Sequence, residues 1–133
     1  MTENGDGYTV SSLDDMGDGP GFRKIRRELG VTAFGINAIV LPPRYQTGTH
    51  YHDEQEETYF VHQGRIEMCF GDGSRHVLGA GGMARVAPDT HRGMTNVGDE
   101  EAIVVIAGGK GGYVGRDGQA VGQSSPGGPP GAA

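Results

Sequence analysis

His50 and His52 stand one residue apart and Glu57 follows, a set of side chains whose types and spacing can do metal chemistry. Two imidazoles and a carboxylate are borderline nitrogen and oxygen donors. They suit Fe(II), Mn, Ni, Co or Zn and leave positions open for water or substrate. The imidazoles must be neutral and the carboxylate ionised, so binding of this kind depends on pH. A divalent metal ion held this way can act as a Lewis acid, activate water or bind dioxygen beside a chelating substrate.

That spacing sets a condition on the backbone. On a helix, residues i and i+2 point about 200° apart and cannot share a ligand. On a strand, where the period is two, both rings project from one face. The residues after His52 meet this condition: 57–62 (ETYFVH) read as a β run with Glu57, Tyr59 and Val61 on one side. Glu57 is therefore expected to face the two rings from an adjacent strand, with Tyr59 lining a cavity beside it. Asp53, Glu54 and Glu56 read as a solvated loop, and His62, at odd separation from Glu57, faces away. Tyr51 is expected to oppose the ligand rings, Tyr45 is a candidate for the cavity wall, and Gly64 closes the strand with a turn.

Further β runs are expected at 33–41, 65–70, 75–78, 83–87 and 102–107. GDG at 71–73 supplies the positive φ of a hairpin turn, and VGDEE at 97–101 supplies a second turn. Regular strands without intervening helices predict an all-β sandwich or barrel. Ahead of them, GFRKIRRELG (21–30) predicts one short helix with Phe22, Ile25 and Leu29 on a single face, ending at Gly30. Residues 1–20 are rich in Gly, Asp and Ser and read as a flexible arm. The stretch from 119 to 133 reads as a disordered Gly/Pro-rich tail. The domain proper is expected to span 21–118.

The spacing H-x-H-x4-E-x6-G, from His50 through His52 and Glu57 to Gly64, resembles the first signature of the cupins. GGMARVAPDTHRGMTN at 81–96 stands where their second signature, G-x5-P-x-G-x2-H-x3-N, would fall. The motif segments are 44–64 and 81–96, and the resemblance covers about residues 33–107. It implies an all-β fold, a small single-domain cupin jelly-roll barrel, commonly a homodimer, with a metal or small-molecule ligand in its mouth.

The departures from the pattern are specific. Arg44 stands where the first signature opens with glycine. In the second, an ungapped alignment of Gly81 and Asn96 puts Ala87 at the proline, Asp89 at the glycine and Arg92 at the fourth metal ligand. His91 then lands one residue early. One residue on a strand sends a side chain to the opposite face, so the alignment favours Arg92 inward, with the metal kept by His50, His52 and Glu57. Arg92, always cationic, would then attract a substrate carboxylate. A bulge that turned His91 inward would restore four ligands. In a third arrangement Arg92 pairs directly with Glu57 in a metal-free barrel.

Bulk properties narrow the function. The chain has 133 residues, enough for one domain, with 35% hydrophobic residues and 26 glycines. A net charge of −6 and a pI near 5.2 argue against a nucleic-acid partner. The basic run RKIRR (23–27) follows a stretch holding Glu3, Asp6, Asp14, Asp15 and Asp18, so it reads as an intramolecular acid–base contact or a solvated face. Cys69, the single cysteine, excludes an intramolecular disulfide and fits a reducing cytoplasm; its apolar neighbours make it a structural thiol. No run approaches the ~18 apolar residues of a membrane span, and no secretory signal opens the chain. GGKGGYVGRDGQ (108–119) lacks the strand–turn–helix context of a phosphate loop. Tyr113 and Val114 are expected to form a late strand or inter-subunit arm that brings Arg116 near the rim. Two readings remain: a metal-dependent oxygenase or isomerase acting on a small anionic molecule, and a metal-free cupin that binds a small molecule without catalysis.

Overall fold

The structure is a computed structural model and describes residues 1–122. In chain order it contains β1 (Glu3–Gly5), β2 (Tyr8–Val10), a 3-10 turn (Leu13–Met16), β3 (Gly21–Arg23), α1 (Ile25–Leu29), β4 (Gly35–Leu41) and β5 (His50–His52). There follow β6 (Glu56–Gln63), β7 (Ile66–Phe70), β8 (Arg75–Leu78), β9 (Met83–Val86), β10 (Arg92–Asn96), β11 (Ala102–Gly109) and β12 (Gly118–Ala120). Two five-stranded sheets form the double-stranded β architecture of a jelly roll, ordered β12-β5-β10-β7-β8 and β3-β4-β11-β6-β9.

Alternation along β6 shows how the sequence builds it. Glu57, Tyr59 and Val61 are buried while Thr58, Phe60 and His62 are exposed, as a strand with one face on the core requires. Tyr59 and Val61 join Ile39, Leu41 and Val104 from the same sheet and meet Ile66, Met68 and Met94 from the other. Each such fully buried side chain contributes about 1.5–3 kcal/mol relative to exposure. The 71–73 turn joins β7 and β8 as expected: Gly73 adopts φ 87, and its N–H donates to Phe70 O at 3.0 Å.

Several elements differ from expectation. The helix is confined to Ile25–Leu29, with Gly30 as its left-handed cap at φ 76. Residues 21–23 instead extend the sheet, pairing with Val40, Ile39 and Ala38. The expected arm at 1–20 carries the β1–β2 hairpin and the 3-10 turn. Strands β5 and β10 are three and five residues long. β5 meets the strand condition that the H-x-H pair sets, whereas the Gly, Thr and Asn content of β10 hid it from a hydrophobic-run reading. At the other end, β12 extends the domain past 118, and Val121 N–H donates to Thr49 O at 3.0 Å. Residues 123–133 of the expected tail lie outside the described residues.

Candidate metal centre

β5 and β10 are neighbours, and Arg92 is the cross-strand partner of His50. Directly opposed residues share a face, so both point inward. Glu57 approaches from β6, which belongs to the other sheet. The expected adjacent-strand geometry is therefore corrected: the carboxylate faces the two rings across the sandwich. One donor atom from each of His50, His52 and Glu57 can be chosen so that all lie within 4.8 Å of one another.

The same register places His91 outside. Its ring stacks on Tyr51 at 5.0 Å between centroids, 15° from parallel. Tyr51 alternates with His50 and His52, so this pair sits on the outer face. His91 as a fourth ligand is thus corrected, because the one-residue displacement on the strand is not undone by a bulge. Arg92 takes the inward position with 0% exposure. Its Nη2 donates to Glu57 Oε1 at 3.2 Å, its Nε to the Tyr59 hydroxyl at 3.3 Å and its Nη1 to Pro88 O at 3.0 Å and to Thr90 O.

Every nitrogen of the Arg92 guanidinium therefore donates within the protein. It was expected to contact substrate, yet it lies behind Glu57 and Tyr59 and does not line the cavity of about 460 Å³ in front of His50, His52, Glu57 and Tyr59. Its task is to fix Glu57. Tyr45 likewise packs against the core cluster and is not on the cavity wall. Tyr59 serves both, with its hydroxyl donating to Glu57 Oε1 at 2.7 Å. Burial and the neighbouring carboxylate raise the Tyr59 pKa, so it stays a donor.

Asp117, which local sequence did not single out, completes the site. β12 pairs with β5 so that Gly118 opposes His52, and the preceding Asp117 comes to rest against the imidazole. Its Oδ1 lies 2.7 Å from His52 Nδ1. It also accepts Glu54 N–H at 2.8 Å, Gln55 N–H at 2.9 Å and Gln55 Nε2 at 2.6 Å. Burial would raise its pKa, but these donors outweigh it and hold the carboxyl below the usual range. A lone Asp in a glycine-rich stretch, 65 residues from its partner, carries no local signal of this role.

Asp117 fixes the tautomer. With Nδ1–H donated to it, the neutral ring presents the Nε2 lone pair inward. Nε2 is buried and has no hydrogen-bond partner, and it lies 3.2 Å from Glu57 Oε1. That separation is an ion-pair distance, but the two atoms are not aligned for a hydrogen bond. Two acceptors this close in a buried site require a cation between or upon them. Without a metal the site favours a proton there: although burial opposes it, Glu57 and Asp117 raise the His52 pKa from its ordinary value. Glu57 stays ionised, because His52, Tyr59 and Arg92 outweigh the effect of its burial and lower its pKa. His50 is held neutral, its pKa lowered to about 4 by burial and by the charges of His52 and Arg92, against Glu57. The donor set and the orphaned Nε2 fit a divalent ion.

The chain belongs to the cupin family: the Cupin domain model matches residues 38–108. No curated protein matches it. Among solved structures it is similar to a cupin protein from Bacteroides fragilis, at 23% identity and TM-score 0.67, covering 84% of this chain and 91% of that one. It is also similar to a Klebsiella pneumoniae protein with a double-stranded β-helix domain, at 20% identity and TM-score 0.68, covering 86% and 97%. A third is a sugar phosphate isomerase of the cupin superfamily from Silicibacter pomeroyi, at 24% identity and TM-score 0.63, covering 77% and 68%. Among the described residues no helix is long and apolar enough to cross a membrane.

Proposed function

We propose that this cupin holds a divalent metal ion on His50, His52 and Glu57 and binds a small anionic molecule in the cavity before them. The observation that carries this reading is His52 Nε2, which is buried, without a hydrogen-bond partner and aimed at Glu57. A bound metal would supply Lewis acidity to an oxygen-bearing ligand, suiting isomerase or oxygenase chemistry. The chain's own residues supply the rest. Asp117 orients His52, Tyr59 and Arg92 orient Glu57, and His50 offers a neutral imidazole. Arg92 lowers metal affinity by its charge while holding Glu57 ionised, so binding is expected to strengthen as pH rises and His52 gives up its proton.

The test is elemental analysis after expression in metal-supplemented medium. Wild type and His91→Ala are expected to carry near-stoichiometric metal, and His52→Ala none. Asp117→Asn is expected to bind about 10–100-fold more weakly, as losses of ligand-orienting partners do. Equal loss in His52→Ala and His91→Ala would overturn the assignment.

A second reading is a metal-free small-molecule binder, and the Arg92–Glu57 pair favours it, since a cation already stands at Glu57. Wild type that stays metal-free yet binds ligand would decide for it. Homodimerisation belongs to the same proposal. Phe60 and Met83 are cross-strand partners, 38% and 66% exposed, and sedimentation velocity would test it. A reducing cytoplasmic setting, supported by the single free Cys69, completes the reading.

A further inference from the structure

The basic run RKIRR neither pairs with the N-terminal acids nor stands wholly in solvent. Arg23 is buried and donates to Gly19 O at 2.7 Å, while Asp15 of the arm takes the amino group of Met1. Lys24, Arg26 and Arg27 line the cavity in front of His50 and Glu57, and Arg116 lines it from the segment before β12. Among the described residues none of these four has an ion-pair partner. Arg26 is positioned by Tyr113, its guanidinium carbon 4.0 Å from the ring centroid, a cation–π attraction that helps hold it at the rim.

These cations invert the local sign of a chain with net charge −6. The acids on the same wall are Glu57 and Asp117, and both are engaged, by Arg92 and His52 respectively. A concave wall of low dielectric with uncompensated charge concentrates the field on a small anion. A single carboxylate would use one guanidinium fork. Several cations lining one cavity from two segments match a dianion with three terminal oxygens. The rest of the wall includes Phe22, Ile36, Ile106 and Val114, which suits a compact organic body more than a polyanionic strand.

We propose that Lys24, Arg26, Arg27 and Arg116 form a subsite for the phosphate group of a phosphate monoester, whose body lies along the apolar wall toward His50 and Glu57. This deepens the proposed function and rests on that reading for the cavity as the ligand site. It also relocates anion recognition from Arg92, which cannot reach the cavity, to the rim.

The experiment is an NMR titration of isotope-labelled full-length protein with inorganic phosphate at low ionic strength, alongside malonate. Phosphate is expected to shift amides of residues 24–27 and 113–118 saturably, and added salt to weaken it. The double variant Arg26→Gln/Arg116→Gln is expected to bind phosphate about tenfold more weakly or worse, as loss of charge-assisted hydrogen bonds implies, with an unchanged melting temperature. No saturable shift, or unaltered binding in the double variant, would overturn the subsite; malonate binding as tightly as phosphate would overturn its assignment to phosphate. Metal uptake by the same variant separates the two conclusions. Intact uptake without phosphate binding sinks the subsite alone. Phosphate binding in a protein that takes up no metal sinks the metal centre alone.

Discussion

The segments carrying the two cupin signatures, residues 50–64 and 81–96, use the same backbone devices to different chemical ends. In the first, Gly64 turns the chain at φ 86, where a Cβ would come within 2.9 Å of Ala102, and His50, His52 and Glu57 present donors to one point. In the second, Gly81 turns at φ 87 and Asn96 is fully buried. Its Nδ2 donates to Leu41 O, Pro42 O and Glu100 O at 3.0, 3.1 and 2.9 Å, and its Oδ1 accepts Gly98 N–H at 2.9 Å. Between those structural residues the ligand position holds Arg92. Gly64, Gly81 and Asn96, which turn or tie the backbone, match the signatures, whereas Arg44, Ala87 and Asp89 depart from them. The candidate ligand positions match in the first segment, and in the second the position is taken by a side chain that holds Glu57.

The most forceful way to break this comparison is to remove Arg92. Arg92→Ala removes the fully buried guanidinium beside Glu57 and leaves the carboxylate to His52 and Tyr59, which is expected to cost about 3 kcal/mol, read by urea denaturation. Restoring the metal-ligating type with Arg92→His should raise metal affinity in the same preparation. Unchanged stability in Arg92→Ala would mean that the pair with Glu57 is not what holds the site. Asn96→Ala tests the structural half of the second segment. Stranding three carbonyls and one N–H is expected to lower stability by about 2–3 kcal/mol, with metal binding by the remaining folded protein unaltered.

A pH titration of the metal-free protein probes the first segment. The folded His50 pKa is near 4 against 6.5 unfolded, so as pH falls the unfolded chain takes up the proton first. Stability is expected to decline between pH 6.5 and about 4, and His50→Gln to flatten that slope. His52 acts in the opposite sense, its raised pKa giving stability that is full below 6.5 and fades as pH rises through the folded value. It therefore does not oppose His50 below 6.5, and the lowered pKa of Glu57 adds to the decline only at the acid end, from about 4.5 downward. A slope identical in His50→Gln would refute this account.

The smallest expected effect concerns Arg44, where the first signature has glycine. Arg44 adopts φ 66, a left-handed conformation that disfavours a side chain bearing Cβ. Its exposed ion pair with Asp99 at 2.5 Å offsets little of that. Arg44→Gly is expected to raise stability by up to about 1 kcal/mol, whereas Arg44→Ala keeps the strained turn and loses the pair. Thermal melts of the two variants would show whether the left-handed backbone at Arg44 carries a cost that glycine relieves.

Much of the site was legible because strand periodicity converts spacing into direction. His50, His52, Glu57 and Tyr59 were placed on inward faces by alternation alone. Less was legible where direction depends on which strand lies beside which. Glu57 was expected beside the histidines and comes from the facing sheet. For Arg92 the motif leaves open a substrate contact and a direct pair with Glu57; the pair is what forms, and the Tyr59 hydroxyl and the carbonyls of Pro88 and Thr90 that also accept from it carry no local signal. The RKIRR run reads as an acid–base contact or a solvated face, whereas the sheet carries Phe22 and Arg23 along β4 and leaves the remaining cations at the cavity.

The sequence by itself determined the all-β cupin class, the H-x-H face and the left-handed glycine turns, since these follow from local period and backbone sterics. Long-range packing decided that Asp117 meets His52, and among the arrangements that the motif left open for Arg92 it selected the pair with Glu57. It also decided that four cations from two distant segments share one cavity. The physical reason is register. Pairing of β12 with β5, and of β10 with β5, is a long-range choice made by the whole core. A one-residue difference in either would have turned each of these side chains to the other face.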